Sequence, residues 1–217
     1  MRISFKLTSK SLSALMLVLA LVSCSHVIRK NIQTIKPAPD HFKARFETSK
    51  GDFEIEATRE WSPKAVDRLY ELIKHGFYDH IIIYRVVPNY VAQFAPTDTS
   101  ILNAWTPFKV PDEPVLKANT MGTVAFARGG IETRGADLFI NLKNNSPRLD
   151  TLNYSGVKGF PVIAVVTKGM DVVSAFYSGY GDVVLKSIDS LKSGQKAFLN
   201  SNFPQLDSIR KAYIIIP

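Results

Sequence analysis

The sequence has a single cysteine, Cys24, among its 217 residues, so no disulfide bond can form within the chain. Its four histidines lack the spacing of zinc ligands. No glycine-rich phosphate loop follows a strand-like segment, because Arg128-Gly129-Gly130 is typical of a turn. These absences argue against a disulfide framework, a zinc site and a nucleotide-binding loop, and we expect neither a metal nor a cofactor.

Charge of one sign is not concentrated anywhere in the chain, although the formal net charge is +8. The cations are interleaved with acidic residues, and no basic cluster alternates with aromatic residues, as in proteins that bind single-stranded nucleic acid. We therefore expect a solvated basic surface and no nucleic-acid partner. The weaker alternative is a domain that binds a membrane surface or another polyanion, with a strong salt dependence.

The N-terminal residues have the pattern of an export signal. Arg2, Lys6 and Lys10 precede an apolar run from Leu12 to Val22. This run is shorter than the roughly 20 residues that span a bilayer as a helix, and it matches the apolar region of a signal peptide. We therefore expect residues 1–23 to be a signal peptide.

The apolar run ends in Leu21-Val22-Ser23-Cys24, which resembles a bacterial lipobox. The resemblance implies cleavage before Cys24 and attachment of lipid to this residue, which would anchor the protein to a membrane. The alternative is a plain signal peptide, or an anchor helix, with an incidental cysteine. Residues 24–41 would then be the lipidated cysteine and a flexible, proline-containing tether, and residues 42–217 the globular domain.

From Phe42 onward, short segments alternate apolar and polar residues, which is the pattern of half-buried strands. The first two, Ala44–Thr48 and Asp52–Glu56, flank Ser49-Lys50-Gly51 and predict a hairpin. Further strands are predicted at 81–87, 90–94, 122–127, 137–141, 162–166 and 212–216.

Only two helices are indicated. The first begins at Pro63, with Ser62 as its N-cap, and ends before Gly76; the second runs from about Val184 to Leu199. Many short strands with two helices favour a closed barrel, because closure removes exposed sheet edges. The sequence therefore predicts one all-β domain, a closed antiparallel barrel of about eight strands capped by two α-helices.

Three segments contain motifs that resemble those of a known family. They are Gly76–Asp79 with Tyr84–Gln93, Gly122–Arg128 with Asp137–Asn141, and Thr167–Val173. Together, and in this order, they resemble the signature of the cyclophilins, a family of peptidyl-prolyl cis–trans isomerases. The resemblance covers roughly residues 43 to 180.

The resemblance implies that Arg85 is the catalytic arginine and that Gln93 helps to hold this arginine and the substrate. Other positions match residues that bind substrate in the family or lie beside it. They are Tyr84, Tyr90, Val91, Ala127, Arg128, Asp137, Phe139 and Phe160.

Several of these positions depart from the family pattern. Tyr84 replaces a common histidine, Arg128 an asparagine and Asp137 a glutamine. The acid at position 137 could pair with Arg85 or with Arg128, and a tight pair with Arg85 would hold its guanidinium away from the substrate nitrogen. Residues 146–159 contain no clear match for the tryptophan or leucine of the family's pocket.

We therefore expect a monomeric, cofactor-free peptidyl-prolyl isomerase that acts on X–Pro bonds of envelope proteins and assists their folding. Ser25, which follows the lipidation site, favours sorting to the outer membrane, on its periplasmic face. The alternative is a binding module, a chaperone or adaptor, that kept the barrel and its groove but lost useful turnover. The surroundings of Arg85 distinguish the two.

Overall fold

The computed structural model describes residues 35–96, 102, 103, 105, 107–187 and 196–216. The predicted signal peptide, Cys24 and the first part of the predicted tether lie outside these residues. Within the described ranges, no helix combines the length and the apolar character needed to cross a membrane.

The domain begins with the predicted hairpin. Strands β1 (His41–Thr48) and β2 (Gly51–Thr58) pair along their whole length, from His41 opposite Thr58 to Thr48 opposite Gly51. Buried and half-buried residues alternate along both strands, because successive side chains of a strand point to opposite faces. Gly51 adopts a positive φ of 125° after the turn, which glycine tolerates because it has no Cβ.

Eight strands close into one antiparallel barrel, which confirms the predicted fold class. Their order around the barrel is β1-β10-β3-β4-β6-β5-β9-β2, and a separate two-stranded ribbon is formed by β7 and β8. The remaining strands are β3 (Ile81–Val87), β4 (Val91–Ala95), β5 (Thr123–Phe126), β6 (Leu138–Asn141), β7 (Asn153–Tyr154), β8 (Val157–Lys158), β9 (Val162–Lys168) and β10 (Ser208–Ile216).

The interior of the barrel is filled by aromatic rings. Phe46 and Phe53 stack with their centroids 4.8 Å apart, and Phe94 meets both Phe46 and Tyr78 edge to face. These four side chains are at most 1% exposed. Burying an apolar side chain of this size stabilises a fold by about 1.5–3 kcal/mol, so the stacked rings are a main source of the barrel's stability.

Helix α1 (Pro63–Lys74) begins and ends where predicted, but its N-terminus is capped differently. The Ser62 side chain makes no capping bond; its hydroxyl donates to Glu113 instead. Glu113 accepts hydrogen bonds from the Lys64 and Ala65 amides at 2.8 and 3.2 Å. A distant carboxylate therefore satisfies the free amides of the first turn and complements the positive end of the helix dipole.

The second predicted helix, Val184 to Leu199, is wrong in its extent. The chain forms a 3-10 turn over Val183–Ser187 and helix α4 over Lys196–Asn202, with residues 188–195 outside the described ranges. Val184 and Leu199 belong to one buried cluster with Tyr84 of β3 and Ala95 of β4, so two short elements cover this apolar patch. Two further short helices, α2 (Arg148–Thr151) and α3 (Met170–Ser174), were not predicted.

The last residues before β1 pack against the domain. Ala38 is buried, and its amide donates to Asp67 on α1 at 2.8 Å. The Asp40 carbonyl accepts a hydrogen bond from the Arg59 amide at 2.8 Å. This end of the predicted tether is therefore held by contacts with α1 and with the 3-10 turn that follows β2.

Candidate active site

Strand register places the predicted catalytic residues side by side. Arg85 on β3 lies opposite Gln93 on β4, Gln93 opposite Phe139 on β6, and Phe139 opposite Ala125 on β5. Because directly opposite residues of an antiparallel pair share a face, these residues form one row across four strands. Phe94, the neighbour of Gln93, points the other way into the barrel, so the row lies on the outer face.

The turn between β3 and β4 places Tyr90 beside this row. Asn89 adopts a left-handed φ of 55°, which asparagine tolerates better than most residues. The Tyr90 carbonyl accepts hydrogen bonds from the Leu142 amide and the Asn145 side chain, both at 2.9 Å. The loop after β6 thereby fixes the turn and the base of the Tyr90 side chain.

The row borders a cavity of about 480 Å³ with an apolar floor. Val91, Ala125, Phe139 and Leu149 form a buried cluster beneath it. The rings of Phe139 and Phe160 meet edge to face, with centroids 5.7 Å apart. The residues that line the cavity are Arg85, Tyr90, Val91, Gln93, Ala127, Arg128, Phe139, Arg148, Leu149, Leu152, Tyr154, Phe160 and Leu185.

Within the described ranges, two side chains hold Arg85 in place. Its Nε donates to Asp182 Oδ1 at 2.6 Å, and one terminal nitrogen donates to Gln93 Oε1 at 3.1 Å. Its guanidinium carbon lies 5.5 Å from the centroid of the Tyr90 ring. Since a guanidinium has five N–H donors, these two bonds fix its direction and leave donors for a ligand in the cavity.

Tyr84 and Asp137, both predicted near the substrate, do not line the cavity. Tyr84 is 1% exposed, and its hydroxyl donates to Asp137 Oδ1 at 2.8 Å. Burial raises the pKa of the Tyr84 hydroxyl, and the Asp137 carboxylate raises it further, so Tyr84 remains a neutral donor. Asp137 thus receives a phenol hydrogen bond, and the carboxylate that holds Arg85 is Asp182.

Arg128 lines the cavity with its side chain turned into the neighbouring loop. Its terminal nitrogens donate to the carbonyls of Tyr154 at 3.1 Å and Val157 at 2.9 Å, and to that of Gly159. Its guanidinium carbon lies 4.6 Å from the centroid of the Phe160 ring. Burial lowers the pKa of Arg128. The arginine that replaces the family's asparagine therefore fastens the loop that bears Phe160.

Residues 148–160, which we call the loop wall, supply one side of the cavity, and the sequence predicted only Phe160 of this side. Besides Phe160, the wall contributes Arg148, Leu149, Leu152 and Tyr154 to the lining. Leu149 and Leu152 are three residues apart in an otherwise polar stretch, a helical spacing that could have indicated α2.

The buried side chain of Asn119 supports the loop wall from behind. The Asn119 amide and side chain donate to Asp150 Oδ1 at 2.9 and 2.8 Å, and the same side chain donates to the Phe160 carbonyl at 2.9 Å. Burial alone would raise the pKa of Asp150, but hydrogen bonds from Ser146 and Asn119 outweigh it and lower that pKa. Both ends of the loop wall are thus tied to one asparagine.

The arrangement suits a ligand with a compact apolar group and a polar backbone. The floor can hold a small ring, and the Arg85 and Gln93 side chains stand beside it. Among the described residues, no group of three or more histidine, cysteine, aspartate or glutamate side chains is placed to hold a metal ion.

Comparisons with known proteins agree with this geometry. A family model described as cyclophilin type peptidyl-prolyl cis-trans isomerase/CLD matches residues 43–192. A peptidyl-prolyl cis-trans isomerase of Acinetobacter baylyi is 33% identical over 129 residues, which cover 58% of this chain and 66% of that protein. Peptidyl-prolyl cis-trans isomerase B of Escherichia coli is 33% identical over 135 residues, covering 59% and 79%. The match thus spans just under two thirds of the Acinetobacter relative.

Solved structures show the same fold. A cyclophilin type peptidyl-prolyl cis-trans isomerase of Cryptosporidium parvum aligns with a TM-score of 0.57, covering 82% of this chain and 99% of that chain at 16% identity. That protein has also been crystallised in the presence of the dipeptide Ala-Pro. The family model covers more than half of the chain, and the relatives agree with it. The chain therefore belongs to the family of cyclophilin-type peptidyl-prolyl cis–trans isomerases, as its sequence motifs predicted.

Proposed function

We propose that this protein catalyses the cis–trans isomerisation of X–Pro peptide bonds in proteins of the cell envelope. The observation that carries the proposal is the Arg85 guanidinium, held by Asp182 and Gln93 beside a cavity with an apolar floor. X–Pro bonds isomerise over tens to hundreds of seconds, because amide resonance opposes rotation with a barrier of about 18–20 kcal/mol. An enzyme that binds the twisted amide more tightly than either planar form lowers that barrier.

The apolar floor would hold the proline ring. Val91, Phe139 and Leu149 are buried beneath the cavity, and Phe160 closes one side. A pyrrolidine ring lacks hydrogen-bonding groups, so its transfer from water to this floor is favourable. With the ring held, the rest of the chain can rotate about the prolyl bond.

Arg85 would stabilise the twisted bond. As the amide loses conjugation, the prolyl nitrogen becomes pyramidal and regains a lone pair, which a cationic N–H donor can bind. Because Asp182 and Gln93 already orient the guanidinium, little reorganisation is needed when this charge distribution develops. The step needs no nucleophile and no covalent intermediate.

The activity is tested with the full chain and short Ala-Pro peptides, by two-dimensional exchange NMR of the prolyl resonances. Removing one preorganised donor costs about 100-fold or more in rate, so we expect Arg85→Ala to lower kcat/KM by that order. Arg210→Ala, which removes an exposed arginine on β10, serves as the matched control. If the peptides exchange at the uncatalysed rate in the presence of the native protein, the proposed isomerase activity is refuted.

A binding module is the second candidate, and one observation favours it. Asp182 engages Arg85 directly at 2.6 Å, which offsets part of the charge that the twisted amide would use. Such a module would hold proline-containing segments without turning them over. Binding of the Ala-Pro peptides without faster exchange, and equally in Arg85→Ala, would establish this alternative.

The envelope location rests on the lipobox-like segment that ends at Cys24. We propose that lipid at this residue anchors the protein to the outer membrane and that it functions there as a monomer. The protein expressed in a double-membrane bacterium should sediment with outer-membrane fractions, and Cys24→Ala should release it. Unchanged membrane retention of Cys24→Ala would contradict the lipid anchor.

A further inference from the structure

Among the described residues that line the cavity, the charged ones are all arginines. They are Arg85, Arg128 and Arg148, and this described lining contains no aspartate or glutamate. The three are not equivalent. Arg85 is paired with Asp182, and Arg128 is buried against carbonyls of the loop wall.

Arg148 is the arginine whose charge is available to a ligand. Its side chain is exposed, and within the described parts of the chain it forms no ion pair. Its guanidinium carbon lies 5.2 Å from the centroid of the Tyr90 ring, and this stacking on the ring keeps the charge over the cavity. Tyr90 is itself fixed by the loop after β6. Arg148 is thus an unneutralised, positioned cation at the cavity mouth.

The Tyr90 ring, which both arginines contact, sets an upper limit on the distance between Arg85 and Arg148. The guanidinium carbons of Arg85 and Arg148 lie 5.5 and 5.2 Å from the Tyr90 centroid, so they are at most about 11 Å apart. An extended chain advances about 3.3–3.6 Å per residue. A side chain within three positions of a proline held beside Arg85 can therefore reach Arg148.

We propose that Arg148 is a specificity-determining residue that selects X–Pro segments with an acidic side chain within three positions of the proline. This inference rests on the proposed function and names its substrate class. A carboxylate can form a charge-assisted hydrogen bond with the Arg148 guanidinium, whereas a lysine at the same position is repelled. The preference for an acidic side chain is modest, because exposed ion pairs contribute little to binding and are screened by salt.

The test compares heptapeptides that carry Glu, Gln or Lys at each position from three before to three after the proline. With the full chain at low salt, we expect the kcat/KM for Glu to exceed that for Lys by about fivefold at one position or more, the scale of exposed ion pairs. Arg148→Gln should bring the Glu-to-Lys ratio close to one, and Arg148→Glu should invert it. Raising the salt concentration to about 0.5 M should compress the ratio in the native protein.

Lys143→Glu is the control, because it makes the same change in net charge at an exposed residue that does not line the cavity. Its Glu-to-Lys ratio should stay that of the native protein. The inference is overturned by a ratio near one in the native protein, by a ratio that persists in Arg148→Glu, or by an equal loss in Lys143→Glu. Turnover of the Gln peptides shows in the same experiment that the isomerase is intact. A failure of specificity is thereby separated from a failure of the proposed function.

Discussion

The interior of the barrel and the loop wall are stabilised by different interactions, although they lie on either side of the same strands. Inside, Phe46, Phe53 and Phe94 fill the space with stacked and edge-to-face rings. The loop wall depends on hydrogen bonds from two residues distant in sequence, Arg128 and Asn119. The stability of the interior therefore comes from many small packing contacts that fill its volume. The conformation of the loop wall depends instead on hydrogen bonds to a few polar atoms.

This difference predicts that damage to the interior lowers stability, while damage to the loop wall alters the cavity. The largest effect is expected for Phe53→Ala, because removing a buried ring costs about 3–5 kcal/mol. Urea denaturation followed by fluorescence would measure the loss. Leu116→Ala, at a side chain that is 64% exposed, should change the free energy of unfolding by less than about 0.5 kcal/mol. Equal losses for the two variants would contradict the described core.

The next effect is expected for Arg128→Met, which keeps the apolar stem and removes the guanidinium. Three carbonyls of the loop wall lose their donor, and an unsatisfied buried acceptor costs about 1–3 kcal/mol. The loss of stability should be confined to the loop wall. Amide exchange of residues 153–160 should accelerate, and KM should rise more than in Phe53→Ala measured below its unfolding temperature. Unchanged exchange of these amides would mean that Arg128 does not hold the wall.

A smaller, pH-dependent effect is expected from Asp150. Its pKa is lower in the folded protein, because hydrogen bonds from Ser146 and Asn119 stabilise the carboxylate. The stability it contributes is therefore present above the ordinary carboxyl pKa of about 3.9 and is lost as the pH falls through the lower, folded value. The difference in unfolding free energy between the native protein and Asp150→Asn should narrow as the pH falls below about 4. A difference independent of pH would count against this role.

The smallest effect is expected at the Arg85–Asp182 pair. Asp182 is 62% exposed, and exposed ion pairs contribute about 0.2–1 kcal/mol. Asp182→Asn should lower kcat by about two- to fivefold with little change in KM, since it loosens Arg85 without altering the apolar floor. A rise in kcat would instead show that Asp182 restrains Arg85, as in the binding-module alternative.

The barrel could be predicted from the sequence because each strand carries its own signal. The alternation in Ala44–Thr48 and Asp52–Glu56 identifies a hairpin without reference to the rest of the chain, although the strands extend beyond these segments. The apolar run at Ile81–Val87 matches β3 at both ends. The row of Arg85, Gln93 and Phe139 follows from the family motifs and from strand register.

The surroundings of that row could not be predicted, because they depend on contacts between distant residues. Asp182 meets Arg85 across 97 positions of the chain, and Arg128 reaches Gly159 across 31. Nothing in the local sequence distinguishes these side chains from solvated ones. The hydrogen bond from Tyr84 to Asp137 could not be predicted for the same reason, since it follows from burial of the phenol, which requires an acceptor nearby.

Strand β10 has a consequence for how the chain matures. It lies between β1 and β3 in the barrel, so the second edge of β1 stays unpaired until residues 208–216 have been synthesised. Until then β1 exposes a row of free amides and carbonyls to other chains. A nascent chain that has released β1 and β3 but not yet β10 is therefore open to aggregation at the edges of both strands.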